Sequence, residues 1–220
     1  MNERVITHQQ ARRIYDRIGR WQDTRPLSER RALDELARRC GFETATAVFE
    51  FGCGTGRYAA ALLAKSLPPG CRYLGIDISP RMVRLASEKV MPWPERARIV
   101  LTDGSPMFSE PDGSCDRFIS TYVLDLLGDD ETAMLLAEAH RVLRPGGLLG
   151  LVSLTAGASP SARALTSAWR RVWAIRPWLL GGCRPIEITG HLSPAEWLLR
   201  DEVAVGHYLL MSQVVVAERV

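Results

Sequence analysis

The sequence predicts an α/β fold, a doubly wound and largely parallel sheet with helices on both faces, and three observations predict it. From Ala47 onward, short apolar runs alternate with helical patterns through four successive strand–helix units. Glycines at alternate positions, Gly52, Gly54 and Gly56, stand where the first strand breaks into the first helix of the series. At 220 residues, 46% hydrophobic and 24% charged, the chain is sized to bury one full core between sheet and helices, as a single domain.

Each element has its own signal. Ala47–Phe51 is an apolar run, and RYAAALLAKSL after the glycines is helical to about residue 67, where Pro68-Pro69-Gly70 ends it. Arg72–Asp77 (RYLGID) reads as the second strand. Ser79 caps the next helix with Pro80 at its first position, and Pro92 and Pro94 close that segment. Arg98–Thr102 is the third strand, ending at Asp103-Gly104, and Ser105–Ser114 is a polar turn region. Asp116–Ser120 begins the fourth strand, and Asp129–Leu143 is an amphipathic helix. Pro145-Gly146-Gly147 is expected to end that helix and precede the fifth strand, LLGLVSL. In the last third, Ser159–Trp178 reads as a helix, with strands at about 197–205 and 212–219. Residues 1–44 form a charged helical arm with two apolar stripes, one through Ile14, Ile18 and Trp21, the other through Leu33, Leu36 and Ala37. The arm either packs as two amphipathic helices or covers a site as a lid, which would bring Tyr15, Asp16 and Trp21 into play.

Composition excludes several classes. A net charge of +3 is too small to argue for nucleic acid or an anionic membrane. The five cysteines (Cys40, Cys53, Cys71, Cys115, Cys183) show no CxxC spacing and no nearby histidines, so no metal site is expected and reduced thiols are. There is no apolar core to the N-terminal segment and no apolar run of membrane-spanning length, so the expectation is a soluble cytoplasmic protein.

The glycine junction points to a nucleotide-like ligand, because glycines let a ligand approach the turn and the following helix offers free N–H groups. Asp77, at the end of the second strand, is placed to accept both hydroxyls of a ribose. Asp103 and Gly104 end the third strand, where a carboxylate and a backbone N–H would select adenine. Ile78 and Met82 would sandwich the ring, or simply pack in the core. Cys53, inside the turn, joins the cofactor-binding set or fills a small space there.

EFGCGTG, LGIDISPRMVRLA, LTDGS, DRFISTYVLDLL and RVLRPGGLLGLVSL together resemble the ordered motifs of class I S-adenosylmethionine-dependent methyltransferases, over about residues 46–156. The likeness is to the small-molecule, ubiquinone/menaquinone-type branch, which YDRIGRWQD also resembles. The resemblance implies a Rossmann-like seven-stranded sheet with the last strand inserted antiparallel. It also implies Glu50, Gly52, Gly54 and Gly56 around the methionine part, Asp77 on the ribose, Asp103 with Gly104 at adenine, and Ser120 towards the sulfonium. The competing cofactor is NAD(P). Its GxGxxG spacing is absent here, and Glu50 beside the turn suits an ammonium group better than a pyrophosphate.

The expected reaction is in-line transfer of a methyl group to a small apolar or aromatic metabolite, a quinone-like compound or a lipid. A base is needed only for a protonated acceptor. Tyr122 and Asp125, just past the fourth strand, and Tyr15 on the arm are the candidate catalytic residues. His191 and His207 read as surface or packing residues, and His140 as structural. The Asn/Asp-Pro-Pro-Tyr motif is replaced by Ser120-Thr121-Tyr122-Val123, which argues against DNA-base methylation. An RNA acceptor or a catalytically silent, cofactor-binding partner subunit are the alternatives. Trp169, Trp173 and Trp178 would wall an apolar pocket, touch a membrane surface or pack on the sheet.

Overall fold

A computed structural model of the chain describes residues 6–18, 27–156, 183–207 and 210–220. Two helices, α1 (His8–Ile18) and α2 (Leu27–Arg39), precede the alternating part. That part runs β1 (Ala47–Phe51), α3 (Arg57–Lys65), β2 (Arg72–Asp77), α4 (Pro80–Val90), β3 (Ala97–Leu101), β4 (Cys115–Thr121), α5 (Asp129–Val142) and β5 (Leu143–Thr155). Two long strands, β6 (Trp197–His207) and β7 (Leu210–Arg219), complete it. The seven strands form one sheet in the order β3-β2-β1-β4-β5-β7-β6. β1 pairs parallel with β2 and β4, and β7 lies antiparallel between β5 and β6. The doubly wound sheet with its last strand inserted antiparallel is therefore the fold.

Alternation along the strands divides the core in two. Phe49 and Phe51 point to one face, where Phe49 stacks on Phe118 with ring centroids 5.3 Å apart and Phe108 closes over both. Val48 points to the other face, with Leu62, Tyr73, Ile119, Val214 and Val216. Helix α2 seats on this second face against β5, β6 and β7. Gly150 makes the seat possible: a Cβ there would stand 2.8 Å from Leu36 Cδ1 and 3.0 Å from Cys40 Sγ. Buried Arg117 finishes the helix by donating to the carbonyls of Cys40 (2.6 Å) and Gly41 (2.5 Å). Helix α1 rests instead on α4.

One sequence expectation is corrected. The fifth strand does not wait for Pro145-Gly146-Gly147. It begins at Leu143, which pairs with Cys115, and its register shifts before Leu148 meets Arg117. The glycines form an irregularity inside the strand, with Gly146 at φ 74. The expected helix 159–178 and Trp21, Trp169, Trp173 and Trp178 lie outside the described residues. Among the described residues no helix is long and apolar enough to cross a membrane, and no group of three His, Cys, Asp or Glu side chains is spaced to hold a metal.

Candidate functional site

The site lies at the C-terminal ends of β1, β2 and β4, where the glycine turn leaves the sheet. The N–H groups of Gly52 and Cys53 both donate to Ile76 O at 2.9 Å, which staples the turn to β2. The three glycines then do three different things. Gly52, at φ 77, lies under Val123, whose Cγ2 would be 2.4 Å from any Cβ. Gly54 N–H donates to Asp77 Oδ2 at 2.8 Å. Gly56 opens α3 at φ 73 and lets α4 approach, since a Cβ would fall 2.6 Å from Ala86 Cα.

Asp77 is the electrostatic centre. Its other oxygen accepts from Ser79 N at 2.9 Å, and the residue is only 9% exposed. Burial pushes its carboxyl above the usual range, against the pull of the backbone N–H groups. A first cavity opens beside it, floored by Phe51, Gly52, Ile76 and Ile78, walled by Val123, Leu126 and Leu127, and roofed by Ile6, His8, Ala11 and Tyr15 of the arm. Two carboxylates, Asp77 and Glu131, and the imidazole of His8 line it; no lysine or arginine does so among the described residues. Gly104, at φ 89, narrows one end: a Cβ there would meet Ile78 Cδ1 at 2.5 Å and His8 Cγ at 3.4 Å.

A second cavity lies between α2 and α3 and shares Gly52 and Thr121 with the first. It is charged where the first is apolar, with Glu50 on its floor and Asp34, Arg30, Arg57 and Lys65 around it. Glu50 is buried and accepts a hydrogen bond from the Tyr73 hydroxyl.

Several residues singled out from the sequence stand away from the cavities. Asp103 is exposed and its Oδ1 accepts from Ser105 N at 2.9 Å, closing a local turn rather than lining the first cavity. Met82 is fully buried in the packing of α4. Ser120 Oγ donates to Phe51 O at 3.0 Å inside the sheet, while its neighbour Thr121 lines both cavities. Cys53 borders the second cavity, and burial pushes its thiol far up, away from nucleophilic chemistry. Tyr122, at φ 58, lines the first cavity but shares a 2.8 Å hydrogen bond with Ser212 Oγ of β7. Asp125 is fully buried in the short turn Leu124–Leu126 and lines neither cavity. Tyr15 lines the first cavity from above.

Sequence reasoning did not find His8, Glu131, Thr121 or Val123. His8 Nε2 lies 2.8 Å from Glu131 Oε1, joining α1 to the first turn of α5 across the cavity. Glu131 carried a signal, as an acid in a helix first turn, but nothing local links it to His8.

A mostly parallel seven-stranded sheet of this order, with its apolar recess at the strand ends, defines a class: the Rossmann-like fold shared with methyltransferase structures. Residues 48–147, a little under half of the chain, match the family described as Methyltransferase domain. The uncharacterized methyltransferase YrrT of Bacillus subtilis (strain 168) is 35% identical over 139 residues, 63% of this chain and 53% of that protein. A trans-aconitate 2-methyltransferase of Azoarcus sp. (strain BH72) is 32% identical over 170 residues, 76% of this chain and 62% of that protein. The chain spans about half the length of the curated relatives it matches. Among solved structures, the [4+2]-cyclase SpnF superposes with a TM-score of 0.75 at 16% identity, covering 98% of this chain and 97% of its own. The family match, the named relatives and the fold are thus similarities to methyltransferases. SpnF bears the name of a cyclase, so the shared fold does not by itself fix methyl transfer.

Proposed function

We propose that the chain is an S-adenosylmethionine-dependent methyltransferase for a small, largely apolar acceptor, built as one unit in which α1 is the lid of the site. The observation that carries the reading is the pair of cavities meeting at Gly52 and Thr121, one apolar with Asp77, the other charged with Glu50. A ligand with a nucleoside at one end and an amino-acid tail at the other matches both.

The residues present fit that ligand. Gly52 and Gly104 let Val123 and Ile78, which line the first cavity, close on the backbone where a Cβ would collide. Asp77 offers a buried carboxylate to ribose hydroxyls, and Ile78 offers an apolar wall to a base. Gly104 and Ile78 pack together at the adenine end, with Asp103 bracing the turn. Glu50 suits an ammonium, and Arg57 and Arg30 suit a carboxylate. Among the described residues the first cavity is lined by the carboxylates of Asp77 and Glu131 and by no lysine or arginine, which suits a pyrophosphate poorly.

When bound, the cofactor supplies a methyl group carried on a sulfonium, an electrophile that needs no acid catalysis. The protein's part is alignment and exclusion of water. Ile6, Ala11, Leu126 and Leu127 keep the first cavity dry. Val123, pressed on Gly52, holds one wall of the first cavity against the glycine turn. Tyr15 Oη is the group at which an acceptor proton would be held; Tyr122, tied to Ser212, and buried Asp125 act by holding the β4 end in place.

An anionic acceptor is the second reading, favoured by Arg30, Arg57 and Lys65 around the second cavity and by the trans-aconitate relative. Calorimetric titration with S-adenosylhomocysteine and with NADH tests the cofactor, and transfer of labelled methyl to an apolar and an anionic metabolite pool tests the acceptor. Binding of the homocysteine derivative and label in the apolar pool are expected. Binding of NADH alone overturns the reading.

A further inference from the structure

Helix α1 roofs the first cavity yet is held largely by polar contacts. Ser79 Oγ donates to Asp16 Oδ1 at 2.6 Å, Arg81 Nη1 donates to Asp16 O at 2.8 Å, and His8 meets Glu131 at the far end. Ser79 is fully buried and serves two carboxylates at once. Its hydroxyl holds Asp16, and its backbone N–H holds Asp77 Oδ1 at 2.9 Å. The same hydroxyl accepts from Met82 N at 3.2 Å, which fixes its proton on the side of Asp16. The roof is thus connected to the ribose-facing carboxylate through one side chain.

We infer that Asp16 and Ser79 couple closure of α1 to what Asp77 holds, so that the helix locks more tightly over a ligand with a free vicinal diol than over one without. The inference rests on the reading of the first cavity as a nucleoside site. The carboxylates of buried Asp77 and half-buried Asp16 flank one buried serine, and like charges so close repel. Consistently, Asp16 is among the groups that raise the Asp77 carboxyl, after burial itself. Two hydroxyls donating to Asp77 spread its charge, and the cost of bringing Asp16 down falls. By reciprocity, Asp16 in place strengthens the preference for the diol. Arg81, the amino end of α4 and the His8–Glu131 pair also face Asp16 or its helix. They act alike on both ligands and drop out of the comparison.

The test is a cycle of adenosine and 2′,3′-dideoxyadenosine against the full-length chain and its Asp16→Asn variant, read by calorimetry and by hydrogen exchange of the α1 amides. Asparagine keeps an acceptor for Ser79 Oγ and removes the charge. The ratio of the two affinities should be about fivefold larger with Asp16 than with asparagine, and only adenosine on the unaltered chain should strongly slow α1 exchange. Arg81→Ala is the control: it loosens the same helix without touching Asp77 and should weaken both nucleosides equally. Equal ratios in the Asp16→Asn variant, or the same change in ratio from Arg81→Ala, overturn the coupling while leaving the nucleoside site standing. Failure of both nucleosides to bind or to be displaced by S-adenosylhomocysteine overturns the site and the coupling together.

Discussion

Helices α1 and α2 come from one polar, arginine-rich arm, and their sequences look alike in charge and in apolar spacing. Yet α2 drives Ala32 and Leu36 into the core, with Cys40 just past its end, while α1 keeps Arg12, Arg13 and Arg17 in solvent and is pinned at each end by polar groups. The difference teaches that an apolar stripe says a helix will pack, not on what. What decides is the receiving surface. For α2 it is a sheet face relieved at Gly150; for α1 it is the rim of a cavity. Packing therefore fixes α2, and polar contacts that water can replace hold α1.

The contrast can be broken by experiment. The largest effect should come from Leu36→Ala, which opens a hole in the α2 seat and should cost about 3 kcal/mol in denaturant unfolding; a cost well under 1 kcal/mol would mean that α2 is not core. On the α1 side, Gly104→Ala should reduce S-adenosylhomocysteine affinity about tenfold or more, because its methyl overlaps Ile78 beneath His8. Calorimetry checks this, and unchanged affinity would detach Gly104 from the site. His8→Ala should leave the melting temperature within about 2 °C and speed ligand release a few-fold. A large loss of stability would instead make α1 a core element like α2.

The smallest effect is a pH dependence on the α2 surface. The hydrogen bond from Arg39 holds the Glu35 carboxyl below its usual value of 4.5, with Arg38 assisting. A lowered folded-state value stabilises above the unfolded one and is lost as pH falls through the folded one. Acid titration followed by NMR should show Glu35 protonating at lower pH than a free glutamate, and Arg39→Gln should shrink the offset to what Arg38 sustains.

The parallel core was legible because each strand is a short apolar run bracketed by glycine, proline or aspartate. The bounds 47–51 and 72–77 could be read directly. The irregular start of β5 was not, because a pairing between Cys115 and Leu143 decides it, and no local pattern reports a partner. In the site, Asp77 was legible from its place after the second strand. That Thr121 rather than Ser120 lines the cavities depends on strand parity, which one residue reverses. His8 and Glu131 are far apart in sequence and meet only because α1 crosses to α5.

The insertion of β7 between β5 and β6 has a consequence in time. Helix α2 precedes the whole sheet in the chain, yet its seat includes Val214 and Val216 of β7. Tyr122, at the mouth of the cavity, is also fastened to that strand through Ser212. The slot between β5 and β6 can be filled only by residues that follow both strands in the chain, so the sheet stays open there until β7 inserts. Contacts so distant in sequence carry a high loop-closure cost, which makes insertion of β7 the step expected to be slowest in self-assembly.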